Sequence, residues 1–403
     1  MVRAPKILAV ASSIDLSFRY GCTPAWWQLW KGLHAEGVDL VLTPYRGRPI
    51  ESPWWRVAEN PTYREGESFA FARDAVARLK GDTHLRRAEE NPEDGLGDKM
   101  TRELIWRWVT PRWRRHLERL MERERPDAVI VFTVPMAHLR GIPASLRERF
   151  GVPVVFYDGD VPMSLPEFGG MDTGFNWYHD ADPSEYDLLI ANSEGGLERL
   201  LELGARRAEA VHWGADPEFF QPYAVEKEYD VLFYGYGDKF RRDWMQQMVG
   251  EPSRLLGDVD FALGGRDFRG DTGNARLVGD IPFNVFARTI SAARINLCIT
   301  RRSHATVYAS SSCRPFELAA AGAAIVSNPY NGIERWFDPG SEVIVVNDAD
   351  EAVDTYRSLL ADPAQAEELG RRARERVLDE HTYRHRARRL LELVGLREEA
   401  HVG

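Results

Sequence analysis

Short apolar runs alternate with amphipathic segments along most of this chain, which is the pattern of alternating strands and helices. The apolar run at residues 6–11 precedes a polar loop, and a helical segment at 25–36 comes before the apolar stretch VDLVLTPY. Strand, loop, helix and strand in this order open a doubly wound α/β domain. The order returns after residue 225 in YDVLFYGYGDKFRRDWMQQM, as a strand, a glycine-containing loop and a helix. The pattern therefore predicts an α/β fold of two similar units.

Prolines and charged residues mark the predicted domain boundary. Pro217, Pro222 and the charged stretch KEYD place it near residue 225. We therefore expect one domain over residues 1–224, a second over 225–380 and a C-terminal helix over 381–403.

Residues 64–125 interrupt the alternation with a charged segment that is helical in pattern and rich in tryptophan, with Trp106, Trp108 and Trp113 close together. We interpret it as a helical insertion in the first domain, packed on or near a cleft between the domains. The basic run Arg112–Arg125 has two interpretations, a helix that touches anionic lipid and a solvated helix face. Its glutamates favour the solvated face, so they weigh against peripheral contact with a membrane.

Length, charge and cysteine content narrow the class of protein. A chain of 403 residues exceeds a single ordinary core, which agrees with two or three domains. The formal net charge of −10 argues against a general nucleic-acid-binding protein. Cys22, Cys298 and Cys313 lack metal or redox spacing and predict reduced thiols in the cytoplasm.

The apolar N-terminal run is too short for a membrane helix and lacks a clear cleavage site. The first loop lacks G-x-G-x-x-G, which disfavours a dehydrogenase.

The stretch 310–337 combines a helix start with an acidic residue that suits a ligand. Three serines precede Arg314-Pro315, and the register of apolar residues predicts a short helix that ends at Gly322. A helix N-terminus exposes N–H groups and a partial positive charge, so it suits a phosphate. Glu317 lies one turn further in, where its carboxylate could accept hydrogen bonds from a sugar diol. The alternative is an ordinary strand–helix–strand crossover with a surface glutamate. The candidate binding residues at the helix start are Ser310, Ser311, Ser312 and Arg314.

A second candidate phosphate site follows the first strand of the second domain. Gly235 and Gly237 would let the backbone approach a ligand closely, and Lys239, Arg241 and Arg242 bring positive charge to the same place. Because arginine presents a fork of donors that matches phosphate oxygens, this cluster could bind a diphosphate. An ordinary solvated helix start would explain the same residues.

Two aspartates, Asp158 and Asp160, follow the strand VPVVFYD in the first domain. The carboxyl ends of parallel strands line the ligand crevice in open α/β sheets. Three interpretations are open: a solvated turn, a carboxylate that orients or deprotonates an acceptor hydroxyl, and a site for a divalent metal. The first two are favoured over the metal.

Further candidates for the acceptor side come from loops of the first domain. His138 could act as a base, although a lone histidine near a strand end is more often a structural residue. The long non-periodic loop after Asp160 contains Phe175 and Trp177, which could stack on a sugar or an aromatic acceptor. Arg19 and Tyr20 in the first loop complete the acceptor candidates.

Several segments resemble glycosyltransferases of the GT-B fold, in the spore-maturation-type branch. WGADPEFFQP resembles the segment that closes the first domain of these enzymes and leads to their hinge. Asn296, the run Arg314-Pro-Phe-Glu317 and Gly322 resemble the N…R-x-F-E…G pattern of that branch. The resemblance covers residues 185–395. It implies two facing Rossmann-like doubly wound domains with a cleft between them, and a C-terminal helix that returns to the first domain.

The resemblance also implies transfer of a sugar from a nucleotide-diphosphate sugar, held by the second domain, to an acceptor hydroxyl held by the first. By matching position, Glu317 would hold the ribose, and Arg241 or Arg242 would hold the diphosphate together with the N–H groups of Ser311–Arg314. Retaining enzymes often carry another glutamate eight residues before the ribose-binding one, where Ala309 stands here. The loop that would face the base contains Gly279, Asp280, Ile281, Pro282 and Phe283.

In this interpretation the helix end and the arginines, Arg241 above all, would stabilise the charge that develops on the departing diphosphate. No metal and no separate cofactor would then be required. If configuration inverts, Asp158 or Asp160 would be the base, and if it is retained, the diphosphate itself would take the proton. Three alternatives stay open: a non-catalytic protein that clamps a nucleotide sugar, a structural spore or envelope protein with a degenerate site, and an epimerase of the same fold.

Overall fold

The chain divides into two compact units. The computed structural model describes residues 3–14, 25–68, 102–168, 177–237, 240–268 and 270–398. The first unit contains Met1–Leu16, Leu33–Val211 and Ala387–Gly403, and the second contains Ser17–Gly32 and His212–Arg386. Each unit is built on one sheet in which all described neighbours are parallel. The predicted fold class, an α/β protein of two Rossmann-like domains, is confirmed.

The strands of the first unit are β1 (Lys6–Ser13), β2 (Asp39–Arg46), β3 (Arg56–Val57), β4 (Ala128–Phe132), β5 (Val154–Asp158), β6 (Leu188–Ala191) and β7 (Ala208–Ala210). In the described part of the chain they form a seven-stranded sheet in the order β3-β2-β1-β4-β5-β6-β7. Every residue of β4 and β5 is buried. Parallel strands covered by helices on both faces need such continuous apolar runs, which is why these strands were visible in the sequence.

The helices that begin before β7 are α1 (Ala25–Ala35), α2 (Thr110–Glu124), α3 (Ile142–Phe150), α4 (Val161–Ser164) and α5 (Leu197–Glu202). Helix α1 starts in the second unit and ends in the first. Shorter turns are the π-helical Ile105–Val109 and the 3-10 segments Met136–Leu139, Pro166–Phe168 and Pro183–Glu185.

Helix α2 forms the C-terminal part of the predicted insertion. Residues 69–101 of that insertion lie outside the described residues. Trp113 is fully buried, its Nε1 donates to Thr62 Oγ1 at 3.1 Å, and its ring stacks on Tyr45. Arg115 and Arg119 lie on the exposed face of the helix. The helix therefore packs its apolar side into the first core and presents the predicted solvated face.

The strands of the second unit are β8 (Tyr229–Tyr236), β9 (Phe261–Arg266), β10 (Arg276–Gly279), β11 (Ala293–Cys298), β12 (Ile325–Ser327) and β13 (Ile344–Val345). The described residues form a six-stranded sheet in the order β10-β9-β8-β11-β12-β13. Its helices are α6 (Arg242–Met245), α7 (Glu251–Leu255), α8 (Phe283–Ser291), α9 (Arg302–Thr306), α10 (Cys313–Ala320), α11 (Ala349–Ala361), α12 (Pro363–Glu380) and the start of α13 (Tyr383–Leu393). A π-helical turn, Gln246–Gly250, joins α6 to α7, and Ile333–Arg335 is a 3-10 turn.

Helix α10 is the short helix predicted before Gly322. Gly322 has a φ of 72°, in the left-handed region where glycine commonly ends a helix. A Cβ on Gly370 of α12 would lie 2.2 Å from the Gly322 carbonyl oxygen, so the two helices are in backbone contact there. In the described part of the chain, no helix combines the length and the apolar character needed to cross a membrane.

The segment 212–224 belongs to the second unit, whereas the sequence places the boundary near residue 225. The Trp213 N–H donates to Ser311 Oγ at 2.8 Å, and the rings of Phe220 and Phe286 meet edge-on at 6.1 Å. Residues 213 and 220 are thus buried within the second unit, although Pro222 itself is exposed. At the other end of the chain, residues 387–403 group with the first unit.

Candidate functional site

The turn that leads into α10 is held in one conformation from both sides. Ala309 is fully buried and has a φ of 44°, in the left-handed region that residues with a side chain rarely adopt. Its N–H donates to the Asn331 carbonyl at 3.0 Å, and the ring of His212 hydrogen-bonds to its backbone. A Cβ on Gly332 would lie 2.3 Å from the Ala309 nitrogen, so the two backbones touch. The turn before the helix is therefore preorganised.

The hydroxyl groups of Ser310 and Ser311 form hydrogen bonds within the protein that stabilise this turn. Ser310 Oγ hydrogen-bonds to His304 Nδ1 at 2.9 Å, and Ser311 Oγ accepts from the Trp213 N–H at 2.8 Å. Both serines are fully buried. Ser312 is the extended residue immediately before α10. Contacts with an anion would then be made by the backbone N–H groups at the helix start, which lack partners inside a helix.

Glu317 is only 1% exposed, so the alternative of a surface glutamate is wrong. Arg314 Nη1 lies 3.3 Å from Glu317 Oε2, one turn away on α10. The Arg314 guanidinium lies over the Phe286 ring, 4.5 Å from its centroid, and 5.3 Å from that of Tyr234. Such cation–π contacts fix the arginine against the wall of the site. A carboxylate accepts several hydrogen bonds, so Glu317 can bind a hydroxyl while Arg314 stays beside it.

Arg241 connects the ends of two central strands. Its Nε donates to the Ile299 carbonyl at 2.8 Å, and its Nη1 donates to the Tyr236 carbonyl at 3.0 Å. Burial raises the pKa of the Cys298 thiol, while the positive charges of Arg314 and Arg241 oppose that rise. Both guanidinium groups therefore lie near the carboxyl end of β11. The structure brings together two cations that the sequence left in separate segments.

The other residues predicted after β8 are less closely tied to this edge. Arg242 is exposed at the start of α6, and Lys239 lies outside the described residues. A Cβ on Gly237 would lie 2.3 Å from Phe268 Cδ1, so packing of this ring explains the glycine. A Cβ on Gly265 would lie 2.0 Å from the Gly235 carbonyl oxygen, so the backbones of these two glycines are in contact. Both predicted ligand-binding glycines are thus accounted for by contacts within the unit.

The loop predicted to face a nucleotide base is ordered by contacts of its own. Asp280 accepts from Arg266 Nε at 2.8 Å through both oxygens, and this bond lowers the Asp280 pKa. The Ile281 carbonyl accepts from Tyr234 Oη at 2.8 Å. Pro282 precedes α8, and the partly exposed Phe283 lies among the rings of Trp27, Phe219 and Phe220. Tyr234 therefore links this loop to the ring wall beside Arg314.

In the first unit, Asp158 is buried and its oxygens are occupied. Its Oδ2 accepts from Tyr178 Oη at 2.6 Å and from Ser164 Oγ at 2.5 Å, and its Oδ1 accepts from the Asp160 N–H at 2.9 Å. Burial raises the Asp158 pKa to about 6, although these hydrogen bonds lower it. Asp160 is half-buried at the start of α4. The geometry favours Asp160 for contact with a ligand and Asp158 for holding the turn. The described residues contain no group of three or more metal-binding side chains.

The acceptor candidates His138 and Trp177 lie on neighbouring segments. His138 Nδ1 is 2.8 Å from Tyr45 Oη, and burial and then Arg46 lower the His138 pKa to about 4. The Trp177 carbonyl accepts from the Met136 N–H at 3.2 Å, which joins the two segments. His138 is therefore neutral near pH 7, with one ring nitrogen engaged. The remaining acceptor candidates lie outside the described residues: Arg19, Tyr20 and Phe175.

Sequence reasoning missed several residues that shape these sites. His304 hydrogen-bonds to Ser310, and the hydroxyl of Tyr178 donates to Asp158. The ring of Phe286 packs against the guanidinium of Arg314. No local spacing marks these pairs. Tyr178 belongs to the long loop after Asp160, in which the sequence predicts aromatic residues that stack on a ligand. This residue is instead buried, and its hydroxyl acts as a hydrogen-bond donor.

Comparison with known families finds one match, which covers most of the second unit and continues into residues 387–392. Residues 241–392 match the family model described as "Glycosyl transferase-like". The matched region begins at Arg241 and includes α10 with Arg314 and Glu317. No curated protein sequence matches the chain significantly.

Solved structures match the whole chain at low sequence identity. Sucrose-phosphate synthase from Thermosynechococcus elongatus is 15% identical, with a TM-score of 0.62, 97% of this chain and 98% of that chain covered. Trehalose-6-phosphate synthase OtsA is 14% identical, with a TM-score of 0.66 and coverages of 98% and 99%. HepE from Anabaena, in complex with UDP and glucose, is 11% identical, with a TM-score of 0.57 and coverages of 98% and 100%. The chain therefore has the GT-B fold, while the spore-maturation branch stays a prediction.

Proposed function

We propose that this protein is a glycosyltransferase that moves a sugar from a nucleotide-diphosphate sugar to an acceptor hydroxyl. The observation that carries the proposal is the buried carboxylate of Glu317, which lies beside Arg314 one turn into α10. This arrangement lies within the region that matches the glycosyl transferase-like family model.

The donor is held by the second unit. The start of α10 and Arg241 bind the diphosphate, because helix N–H groups and a guanidinium both suit phosphate oxygens. Glu317 accepts hydrogen bonds from the ribose hydroxyls. HepE, a structural neighbour, was solved with UDP and with UDP-glucose, so uridine nucleotides are the first donors to test.

Transfer depends on stabilising the charge that builds on the departing diphosphate. Arg241 is already held by two strand-end carbonyls, so little reorganisation is needed when that charge develops. In this proposal the cations suffice and no metal is required. The first unit binds the acceptor. If the configuration of the transferred sugar inverts, the half-buried Asp160 is the base. If configuration is retained, the diphosphate takes the proton.

The test combines a donor screen with substitutions at the site. UDP-, GDP-, ADP- and dTDP-sugars are added in a thermal-shift assay, where a ligand that binds only the folded state raises the melting temperature. In Glu317→Gln we expect donor affinity to fall about tenfold or more, since a hydrogen bond to a charged group contributes about 1.5–3 kcal/mol. Glu334→Gln is the matched control, because Glu334 is exposed in the same stretch.

Turnover is then measured with the donor found in that screen. We expect Arg241→Ala combined with Arg242→Ala to slow transfer much more than it weakens donor binding, because the charge develops on the way to the transition state. Incubation with donor alone separates a transferase, which hydrolyses it slowly at most, from an epimerase, which changes the sugar. Unchanged affinity in Glu317→Gln and unchanged turnover in the arginine variant would contradict the proposal.

A further inference from the structure

The segment that follows β7 is paired with the start of α13 inside the second unit. The Ala215 N–H donates to the His381 carbonyl at 3.2 Å, and the Tyr383 N–H donates to the Ala215 carbonyl at 3.1 Å. A Cβ on Gly214 would lie 2.4 Å from the His381 carbonyl oxygen, so the two backbones are in direct contact. This pairing fixes the path of the backbone after β7.

Both paired segments contact the start of α10. The Trp213 N–H donates to Ser311 Oγ at 2.8 Å, and both residues are buried. Tyr383 Oη lies 3.7 Å from the Sγ of Cys313, the first residue of α10. The start of this helix is therefore held by groups that lie far from it in the sequence.

Arg386, the last residue of the second unit, connects both segments with α10. Its Nε donates to the Trp213 carbonyl at 2.9 Å, and its Nη2 lies 2.9 Å from His381 Nδ1. Burial and then the charge of Arg386 lower the His381 pKa to about 3, so this ring is neutral near pH 7. A guanidinium only donates, so His381 Nδ1 accepts, and its Nε2 donates to the Trp336 carbonyl at 3.1 Å. The guanidinium also lies 5.7 Å from the centroid of the Phe316 ring on α10.

We propose that Arg386 is a positioning residue for the diphosphate end of the donor site. It acts through Trp213 and Ser311, and it holds the N–H groups at the start of α10 in the orientation that an anion needs. A turn that is already ordered does not have to be ordered by the ligand, which favours affinity. This inference rests on the proposed function, in which those N–H groups bind the diphosphate.

The ribose end of the same site has support of its own. Glu317 is buried one turn further into α10. The ring of the neighbouring Phe316 packs against the rings of Trp336 and Phe337, with centroids 5.5 and 5.7 Å away. Loss of the Arg386 side chain should therefore weaken binding of the diphosphate more than binding of the nucleoside.

Affinities for UDP and for uridine test the proposal, because of the two only UDP reaches the start of α10. If the donor screen selects another base, the diphosphate and the nucleoside of that base replace them. In Arg386→Gln we expect UDP to bind about tenfold more weakly, as loss of one charge-assisted hydrogen bond would give, and uridine to bind within about twofold of wild type. Arg386→Lys should recover part of the UDP affinity, since an ammonium group can still donate to the Trp213 carbonyl. Calorimetry measures UDP, and saturation-transfer NMR measures the weaker binding of uridine.

Lys227→Gln is the matched control. Lys227 Nζ also donates to two carbonyls of the second unit, those of Ser291 at 2.9 Å and Ala293 at 2.8 Å, but at the amino end of β11. We expect this variant to unfold at a lower denaturant concentration and to bind UDP as wild type does. In Arg386→Gln, an unchanged affinity for UDP, or an equal loss for UDP and uridine, would overturn the inference and leave the proposed function standing.

Ser311→Ala is the second variant, and it carries the test if Arg386→Gln does not fold. It removes the acceptor of the Trp213 N–H and keeps every charge, so it should show the same selective loss of UDP affinity. The double variant should lose no more than the larger single loss, because both substitutions break one chain of contacts. Full affinity for UDP in Ser311→Ala, or additive losses in the double variant, would overturn the inference. If wild type binds neither UDP nor any nucleotide sugar, the proposed function fails together with it.

Discussion

Asp158 shows how a single residue can be placed correctly by sequence and still have an unexpected environment. The sequence puts it at the carboxyl end of β5, which the structure confirms. Its burial and its bonds to Ser164 and Tyr178 come from residues six and twenty positions away in the chain. Strand-end position follows from an apolar run, whereas a buried hydrogen-bond network depends on tertiary packing that no local pattern encodes.

The stability contributed by Asp158 should depend on pH. Its pKa is about 6 in the folded protein and about 3.9 in an unfolded chain, so the folded state holds this proton more tightly. The contribution to the free energy of unfolding is then full below about pH 4 and is lost as pH rises through about 6. Between pH 4.5 and 7.5 we expect wild type to lose about 2 kcal/mol relative to Asp158→Asn, which does not titrate.

Chemical denaturation of both proteins at the two pH values measures this difference. A gap that stays constant, or that grows in favour of wild type as pH rises, would contradict it. Such a result would mean that the donors Ser164, Tyr178 and the Asp160 N–H outweigh burial and keep the carboxylate charged.

At the scale of elements, the sequence predicts those with long apolar or amphipathic runs. The amphipathic runs near the end of the chain form the long helices α12 and α13. The two-residue strand β3, with Arg56 exposed and Val57 half-buried, has no apolar run and was missed. Helix α10 was predicted from its caps, but the conformation of the turn before it depends on residues 330–332, which approach from beyond the helix.

The contact between that turn and Gly332 should be measurable. Gly332 has a φ of 86°, and a Cβ there would lie 2.3 Å from the Ala309 nitrogen. Gly340, with a φ of 92° and nothing within 4 Å of an added Cβ, is the matched control in the same unit. We expect Gly340→Ala to cost about 1 kcal/mol for its left-handed backbone, and Gly332→Ala about 3 kcal/mol or more because backbone must also move.

Denaturant unfolding of both variants gives the comparison, and donor affinity gives a second readout. If the turn positions the start of α10, Gly332→Ala weakens donor binding and Gly340→Ala does not. Equal losses of stability in the two variants would show that the turn adjusts freely around an added methyl group.

At the scale of the whole molecule, membership of the two units does not follow the order of the chain. The start of α1 groups with the second unit, and residues 387–403 group with the first. The resemblance to GT-B enzymes implied the return of the C-terminal helix. No feature of the α1 sequence, however, indicates that its two ends group with different units. There Lys31 Nζ lies 2.5 Å from Asp216 Oδ2, and the Asp216 N–H donates to Gln28 Oε1 at 2.8 Å. Such contacts join residues nearly two hundred positions apart, so local patterns cannot reveal them.

One nearly buried carboxylate of the first unit, Glu36, binds two arginines of the C-terminal segment. Glu36 Oε2 accepts from Arg388 Nε and from Arg397 Nη1, both at 2.9 Å, and its side chain is 7% exposed. Because this carboxylate is nearly buried, Glu36→Gln should lower the free energy of unfolding by about 2 kcal/mol.

Glu368→Gln is the control, since Glu368 also binds two arginines, Arg371 and Arg372, but on the exposed face of its own helix. Exposed pairs of this kind contribute little, so we expect no measurable change there. Denaturant unfolding at low and high salt separates the two cases, because buried ion pairs are screened much less than exposed ones. If the two variants lose the same stability, apolar packing and not Glu36 holds residues 387–398 in place.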